Sequence, residues 1–136
     1  MNGAPPLISD VSRPWWDALA RHTIAMQQCR SCDAWVFYPR PFCTSCGSHE
    51  LEWRQVEPRA MLFTYTIAHH AVAPAFAHLS RPILAIAELT NGVRVPTTIE
   101  ADAARDLNIG MALTPHFDDL TYAGVTLLRF VPSTSA

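Results

Sequence analysis

Apolar and polar residues alternate over much of the second half of the chain, and a period of two predicts strands. Met61, Phe63, Tyr65 and Ile67 form one row of a first strand, with Leu62, Thr64 and Thr66 on its other face. Pro82 to Leu89 and Val93 to Ile99 read as two more strands. Between them, Thr90-Asn91-Gly92 carries Asn-Gly, the strongest short hairpin signal, with both turn positions expected at positive φ. Asp102 is placed to cap one or two helical turns ending at Leu107, and Met111 to Phe117 and Val125 to Val131 supply the last strands. Five short strands with a helical piece between the third and fourth predict an OB-like barrel over residues 58–136, with Pro58 at its start.

The first half is patterned differently. Trp15, Trp16, Leu19 and Ala20 make an apolar stripe at helical spacing within residues 1–21; Asp10 or Ser12 can cap it, and Pro14 suits its first turn. The paired tryptophans serve packing or the docking of another chain. Residues 22–57 read as short strands around two cysteine pairs, and alternation in Leu51 to Val56 puts Leu51 and Trp53 on one face. The expected fold class is therefore mainly β: an N-terminal helix, a four-cysteine ribbon, then a five-stranded OB-fold barrel.

The cysteines carry the sharpest chemistry. Cys29-Arg30-Ser31-Cys32 and Cys43-Thr44-Ser45-Cys46 are two C-x-x-C pairs, each able to turn two thiolates toward one point. A hairpin between the pairs closes a tetrahedral site with no open position for water, so the metal is expected to be structural. Zinc is the first choice, iron in a rubredoxin-like site the second, and disulfides the poorest. Gly47 permits the backbone twist after the second pair, while Asp33 follows the first pair, where a glycine would be easier.

Charge and composition narrow the function. Apolar residues make up 49% of the 136, enough for a core, and the net charge is −2. All ten cations are arginine, scattered from Arg13 to Arg129, which removes Schiff-base and lysine-base chemistry and argues against a nucleic-acid grip built on clustered cations. Met1 to Ser12 has no signal-peptide pattern, and no stretch reaches the ~18–20 apolar residues of a membrane span. The expected location is the cytoplasm, where thiols stay reduced. No serine elbow, phosphate-cradling glycine loop or H-E-x-x-H occurs, and no cysteine is left once a metal is served. Adjacent His69 and His70 point to opposite faces of a strand and cannot easily share a metal. His22, His49, His78 and His116 look isolated, and Asp118-Asp119 is expected in a solvated turn.

Taken in order, a tryptophan-bearing helix, the four-cysteine ribbon, Tyr38-Pro39-Arg40-Pro41, Gly47-Ser48, Leu51-Glu52-Trp53 and Ile109-Gly110-Met111 closely resemble the DUF35 family. The resemblance runs over about residues 10–132 and departs from the family pattern at Asp33 and Ala60, where glycine is common. It implies a rubredoxin-like zinc ribbon plus OB-fold protein with no active site of its own, associated with acyl-CoA. The implied partner is a thiolase-superfamily catalytic subunit (thiolase, acyltransferase or side-chain aldolase) in a hetero-oligomer; some relatives pair with enoyl-CoA hydratases. For the phosphates and adenine of acyl-CoA, arginines beside aromatic or proline edges are the natural contacts: Arg30, Arg40, and Arg81 with Phe76. The Ala-rich loop Ala71 to Ala77 is expected to be covered by a partner or ligand. A single-stranded nucleic-acid binder, stacking bases on Tyr65, Phe63 and Phe76, is the second class of function, though a cationic groove is missing.

Overall fold

The computed structural model describes residues 5–69, 82–99 and 107–133. One helix, α1 (Arg13–Ala20), precedes eight strands: β1 (Ile24–Cys29), β2 (Trp35–Val36), β3 (Leu51–Val56), β4 (Ala60–Ile67), β5 (Ile83–Leu89), β6 (Arg94–Ile99), β7 (Ala112–Tyr122) and β8 (Val125–Pro132). The first three form an antiparallel sheet in the order β2-β1-β3, and the last five close a barrel in the order β4-β5-β6-β8-β7. All barrel pairings are antiparallel except β6 with β8, which run parallel through Ile99 and Phe130. This is the OB-fold arrangement.

One apolar core joins the two sheets. Trp15 and Leu19 of α1, and Ile24, Met26 and Val56 of the ribbon sheet, pack in the same cluster as Leu62, Ala87, Leu89, Val95, Leu113 and Phe130 of the barrel. Strand β5 shows the expected alternation, burying Ile83, Ala85, Ala87 and Leu89. Fully burying a side chain the size of Phe130 stabilises the fold by ~1.5–3 kcal/mol, so these positions set the fold's stability.

Three local features differ from the sequence reading, each for a physical reason. In β4 the pairing with β5 shifts between Leu62 and Thr64, so one extra residue, Phe63, bulges. The bulge changes the strand's phase: Leu62 turns inward and is fully buried, while Met61 and Phe63 face out. At the β5–β6 hairpin only Gly92 has positive φ, +88°, and the Gly92 N–H donates to the Leu89 carbonyl. That makes Thr90-Asn91 the centre of an ordinary turn followed by a left-handed glycine, the three-residue hairpin rather than the two-residue one. Strand β7 runs on through Asp118 and Asp119, which therefore do not sit in a turn. Asp118 is 7% exposed; its carboxylate accepts from Arg129 Nε at 2.7 Å, from the Thr121 hydroxyl, and from the Leu120 and Thr121 N–H groups.

Helix α1 begins on local contacts and ends on a side chain that fixes it to the barrel. Ser12 stands at the N-cap, but its hydroxyl turns back to Ser9 and makes no capping bond; Asp10 instead lies 3.7 Å from Arg13. At the other end His22 adopts a left-handed φ of 59°, with His22 N–H donating to the Leu19 carbonyl and Thr23 N–H to that of Ala18. This is a Schellman stop with histidine where glycine is usual. His22 is not isolated: Nε2 lies 2.7 Å from Asp119 Oδ2, and its ring stacks on Phe117 at 5.1 Å. The Asp119 carboxyl is held below the usual range by the Thr126 hydroxyl first and by His22 second. Trp15 is buried as a packing residue; half-buried Trp16 keeps its indole Nε1 without a hydrogen-bond partner among the described residues. No helix among the described residues is long and apolar enough to cross a membrane.

Candidate metal centre

The two cysteine pairs fold into knuckles of the same design. In the first, Cys29 N–H donates to the Ala34 carbonyl, Asp33 N–H to the Cys29 carbonyl at 2.9 Å, and Ser31 N–H to Cys29 Sγ at 3.3 Å. In the second, Cys43 N–H donates to the Ser48 carbonyl, Gly47 N–H to the Cys43 carbonyl at 2.9 Å, and Ser45 N–H to Cys43 Sγ at 3.3 Å. Each turn reverses through one left-handed residue, Asp33 at φ 65° and Gly47 at φ 78°. The irregularity noted at Asp33 is thus a real backbone demand. The knuckles are tied together by Arg30 N–H to the Glu50 carbonyl at 2.8 Å and by the Ser31 and Ser48 hydroxyls at 3.0 Å.

This design brings all four Sγ atoms within 4.8 Å of one another. The Cys29–Cys46 and Cys32–Cys43 sulfurs stand 3.6 Å apart. A tetrahedral ion with Zn–S bonds of about 2.3 Å sets its sulfurs about 3.8 Å apart, whereas a disulfide needs about 2.05 Å. The cluster fits a metal and not two disulfides. Cys29 and Cys43 are buried and Cys32 and Cys46 exposed, so the site sits at the tip of the ribbon with one side to solvent.

The electrostatics ask for a cation. The Cys46 N–H favours the Cys43 thiolate, and with the Ser45 N–H it outweighs burial and brings that thiol down to about 6. Burial opposes the Cys29 thiolate, but the Cys32 and Ser31 N–H groups overcome it and the thiol is lowered. At Cys32 the Ala34 N–H favours the thiolate, yet burial and the thiols of Cys43, Cys46 and Cys29 push it up to about 12. Cys46 is raised as well: the Ser48 N–H lowers it, while Cys29 and burial win. Burial and the neighbouring thiols oppose ionising all four together, and a divalent cation is what stabilises four thiolates side by side. With four sulfur ligands the coordination is complete. Zinc bound here is structural: it crosslinks the knuckles and activates no water.

Of the residues singled out for CoA, only Arg30 and Arg40 lie among the described residues. Arg30 is exposed inside the first knuckle and Arg40 is exposed beyond β2. Phe76 and Arg81 lie outside the described residues, as do His70, the Ala-rich loop and the helical segment capped at Asp102 up to its last residue, Leu107, which is buried. Of the aromatics considered for stacking bases, Tyr65 is half-buried and one face of Phe63 is covered by the Arg94 guanidinium at 3.8 Å. Two groups escaped the sequence reading altogether. The His22–Asp119 pair joins residues far apart in the chain, and no local signal announces it. Gln27 is buried, and its amide bonds both backbone groups of Arg40; its place directly after Ile24-Ala25-Met26, two residues before Cys29, was the available hint.

Two family models match consecutive parts of the chain. The family model described as ChsH2, rubredoxin-like zinc ribbon domain, matches residues 16–52, and that described as ChsH2, C-terminal OB-fold domain, matches residues 53–118. A chain of a solved structure, the Ltp2-ChsH2(DUF35) aldolase, is 27% identical and superposes with a TM-score of 0.81 over 94% of this chain and 98% of that one. A DUF35 domain-containing scaffold protein of Methanocaldococcus jannaschii is 28% identical over 109 residues, which span 79% of this chain and 76% of that protein. A probable enoyl-CoA hydratase alpha subunit of Thermomonospora curvata is 30% identical over 107 residues, 78% of this chain. The match takes in only 33% of that relative's own length.

Proposed function

This chain belongs to the DUF35 family, and from that premise we propose that it is a non-catalytic accessory subunit of a thiolase-superfamily enzyme that helps to bind or position acyl-CoA. The observation that carries the reading is the end-to-end likeness, at a TM-score of 0.81, to a chain of the Ltp2-ChsH2(DUF35) aldolase. A scaffold protein among the relatives agrees with an assembling role. The chemistry of the chain is consistent with it: the four cysteines are committed to zinc, so none is left as the acyl-accepting nucleophile that thiolase chemistry uses.

In this reading the parts divide the work. The ribbon, residues 22–57, carries the zinc and offers Arg30 and Arg40 to the phosphates of CoA; the barrel, residues 58–136, supplies Phe76 and Arg81 and the main face toward the partner. The helical segment 1–21 braces the two. A reducing compartment, the cytoplasm, suits four unpaired thiols. The test is reconstitution: alone, the chain should catalyse no thiolysis, condensation or retro-aldol cleavage of acyl-CoA, and co-expression should give its partner solubility and activity. Full activity of the partner alone would sink the proposal. A second reading, pairing with an enoyl-CoA hydratase, is favoured by the Thermomonospora relative. Mass spectrometry of the companion in the native complex separates the two.

A further inference from the structure

Gln27 lies in β1, 6% exposed, and both ends of its amide go to a single residue. Nε2 donates to the Arg40 carbonyl at 2.8 Å, and Oε1 accepts the Arg40 N–H at 2.8 Å. Used this way, a side-chain amide copies one rung of an antiparallel ladder. It docks the segment Tyr38-Pro39-Arg40-Pro41 against β1 although β2 has already ended at Val36.

The sequence of that segment makes the rung decisive. Pro39 and Pro41 have no N–H, so Arg40 is the sole backbone donor of the three, and Gln27 takes it. Residues before proline are held extended, which restricts Tyr38 and Arg40 as well. Burial then alternates: Pro39 is buried while Tyr38 and Arg40 are exposed on either side of it. Tyr38 also lines a cavity of about 310 Å³ with Trp15, Phe37, Pro96 and Leu128 among its walls. A strip fixed at its backbone thus carries an exposed cation two residues from an aromatic-walled hollow. That pairing suits a ligand with anionic phosphates and a flat or apolar portion.

We infer that Gln27 is a positioning residue for a phosphate-bearing ligand of Arg40, acting through the two hydrogen bonds that fix the Arg40 backbone. The inference rests on the reading that Arg40 meets CoA. A long guanidinium side chain gives up much rotamer freedom on binding, and a fixed Cα limits that loss to the side chain alone.

The experiment uses the native complex, with free CoA as the probe by titration calorimetry, alongside zinc content and amide exchange at Arg40. In Gln27→Met the Arg40 amide should exchange about 100-fold faster, zinc should remain, and CoA binding should weaken about tenfold. Arg40→Ala should weaken it at least as much, and the double variant no further than Arg40→Ala, because Gln27 acts only through Arg40. Gln27→Glu keeps the acceptor but sets a carboxylate against the Arg40 carbonyl, and should behave as Gln27→Met does. Weakening in Arg40→Ala but not in Gln27→Met overturns the inference and leaves the CoA reading standing. No weakening in either removes Arg40 from the site, and the inference with it. A further loss in the double variant, or zinc lost from both Gln27 variants, makes Gln27 a general structural residue and overturns the inference equally.

Discussion

At the tip of the ribbon the buried cluster consists of Cys29, Val36 and Cys43, with Ala34 and Leu51 half-buried against it; the barrel instead seals around Leu62, Ala87, Leu113 and Phe130. Two of the three residues at the tip are metal ligands, so its core and its metal site are one object. The root of the same sheet is different: Ile24, Met26 and Val56 belong to the barrel's core. The boundary between metal-held and core-held structure therefore crosses β1, somewhere between Met26 and Cys29, and does not coincide with the joint at Pro58. A small β module can take its stability from two sources at its two ends.

Removing zinc breaks this comparison most severely. Structural zinc in small ribbons carries on the order of 10 kcal/mol of apparent binding free energy, and the tip has almost no apolar area to replace it. Chelation, or Cys29→Ser at a buried ligand, should free residues 29–50 to hydrogen exchange and proteolysis while Phe130 and Leu62 stay protected. If ribbon and barrel melt together in one transition on chelation, the division is wrong and the molecule is a single cooperative unit. Emptying the barrel core is the complementary blow. Phe130→Ala should cost about 4 kcal/mol in denaturant titration, with zinc affinity in the still-folded protein unchanged.

Smaller, and titratable, is the Asp118–Arg129 pair inside the barrel. Burial alone would raise the Asp118 carboxyl; the Thr121 hydroxyl, the Leu120 N–H, Arg129 and the Thr121 N–H overcome it and hold the group well below the usual carboxylate range. A folded-state pKa depressed below the unfolded value contributes stability that is present above the unfolded pKa, about 4, and is lost as pH falls toward the folded one. Asp118→Ala should cost about 2 kcal/mol at neutral pH, less than a fully enclosed pair because the Arg129 side chain is 17% exposed. The wild-type advantage over the variant should shrink below pH 4. An advantage that stays flat to pH 2 would show that packing, not charge, explains the cost.

These cases also show what the sequence could disclose. The metal ligands were legible because two C-x-x-C pairs at that spacing favour one tetrahedral site over disulfides, and the barrel because five strand signals recur in order. The phase of β4 was not: a bulge at Phe63 moves the buried row from Met61 and Phe63 to Leu62, and nothing in a period-two pattern marks the extra residue. Asp118 misled for a related reason. Two adjacent carboxylates look like a turn until Arg129, eleven residues on and paired across the β7–β8 hairpin, supplies the countercharge. His22–Asp119, 97 residues apart, and the Gln27 clamp on Arg40 are long-range or side-chain-to-backbone contacts that only the fold creates.

The finest comparison lies between the two knuckles, which share the two backbone bonds that close each turn and differ in the residue at the left-handed position. Asp33 holds φ 65° with a Cβ; Gly47 holds φ 78° without one. A left-handed L-residue costs roughly 1–2 kcal/mol, less for aspartate, while a glycine there loses up to ~1 kcal/mol through the freedom of the unfolded chain. The difference is small but has a sign. Asp33→Gly keeps the Asp33 N–H to Cys29 and the carbonyl that accepts from Gln28 Nε2, so only strain changes and stability should rise by about 0.5 kcal/mol. Gly47→Ala adds a Cβ that meets nothing within 4 Å, so its cost is backbone strain alone, about 1 kcal/mol. Because folding of the tip and zinc binding are one equilibrium, both changes should appear in competition with a chelator. Zinc should be held about twofold more tightly in Asp33→Gly and about fivefold less tightly in Gly47→Ala, since 1.4 kcal/mol is a factor of ten. Opposite signs would show that the knuckles are equivalent in design and unequal only in sequence. Equal losses in both variants would mean that the Asp33 carboxylate has a role in the ribbon beyond occupying a strained turn.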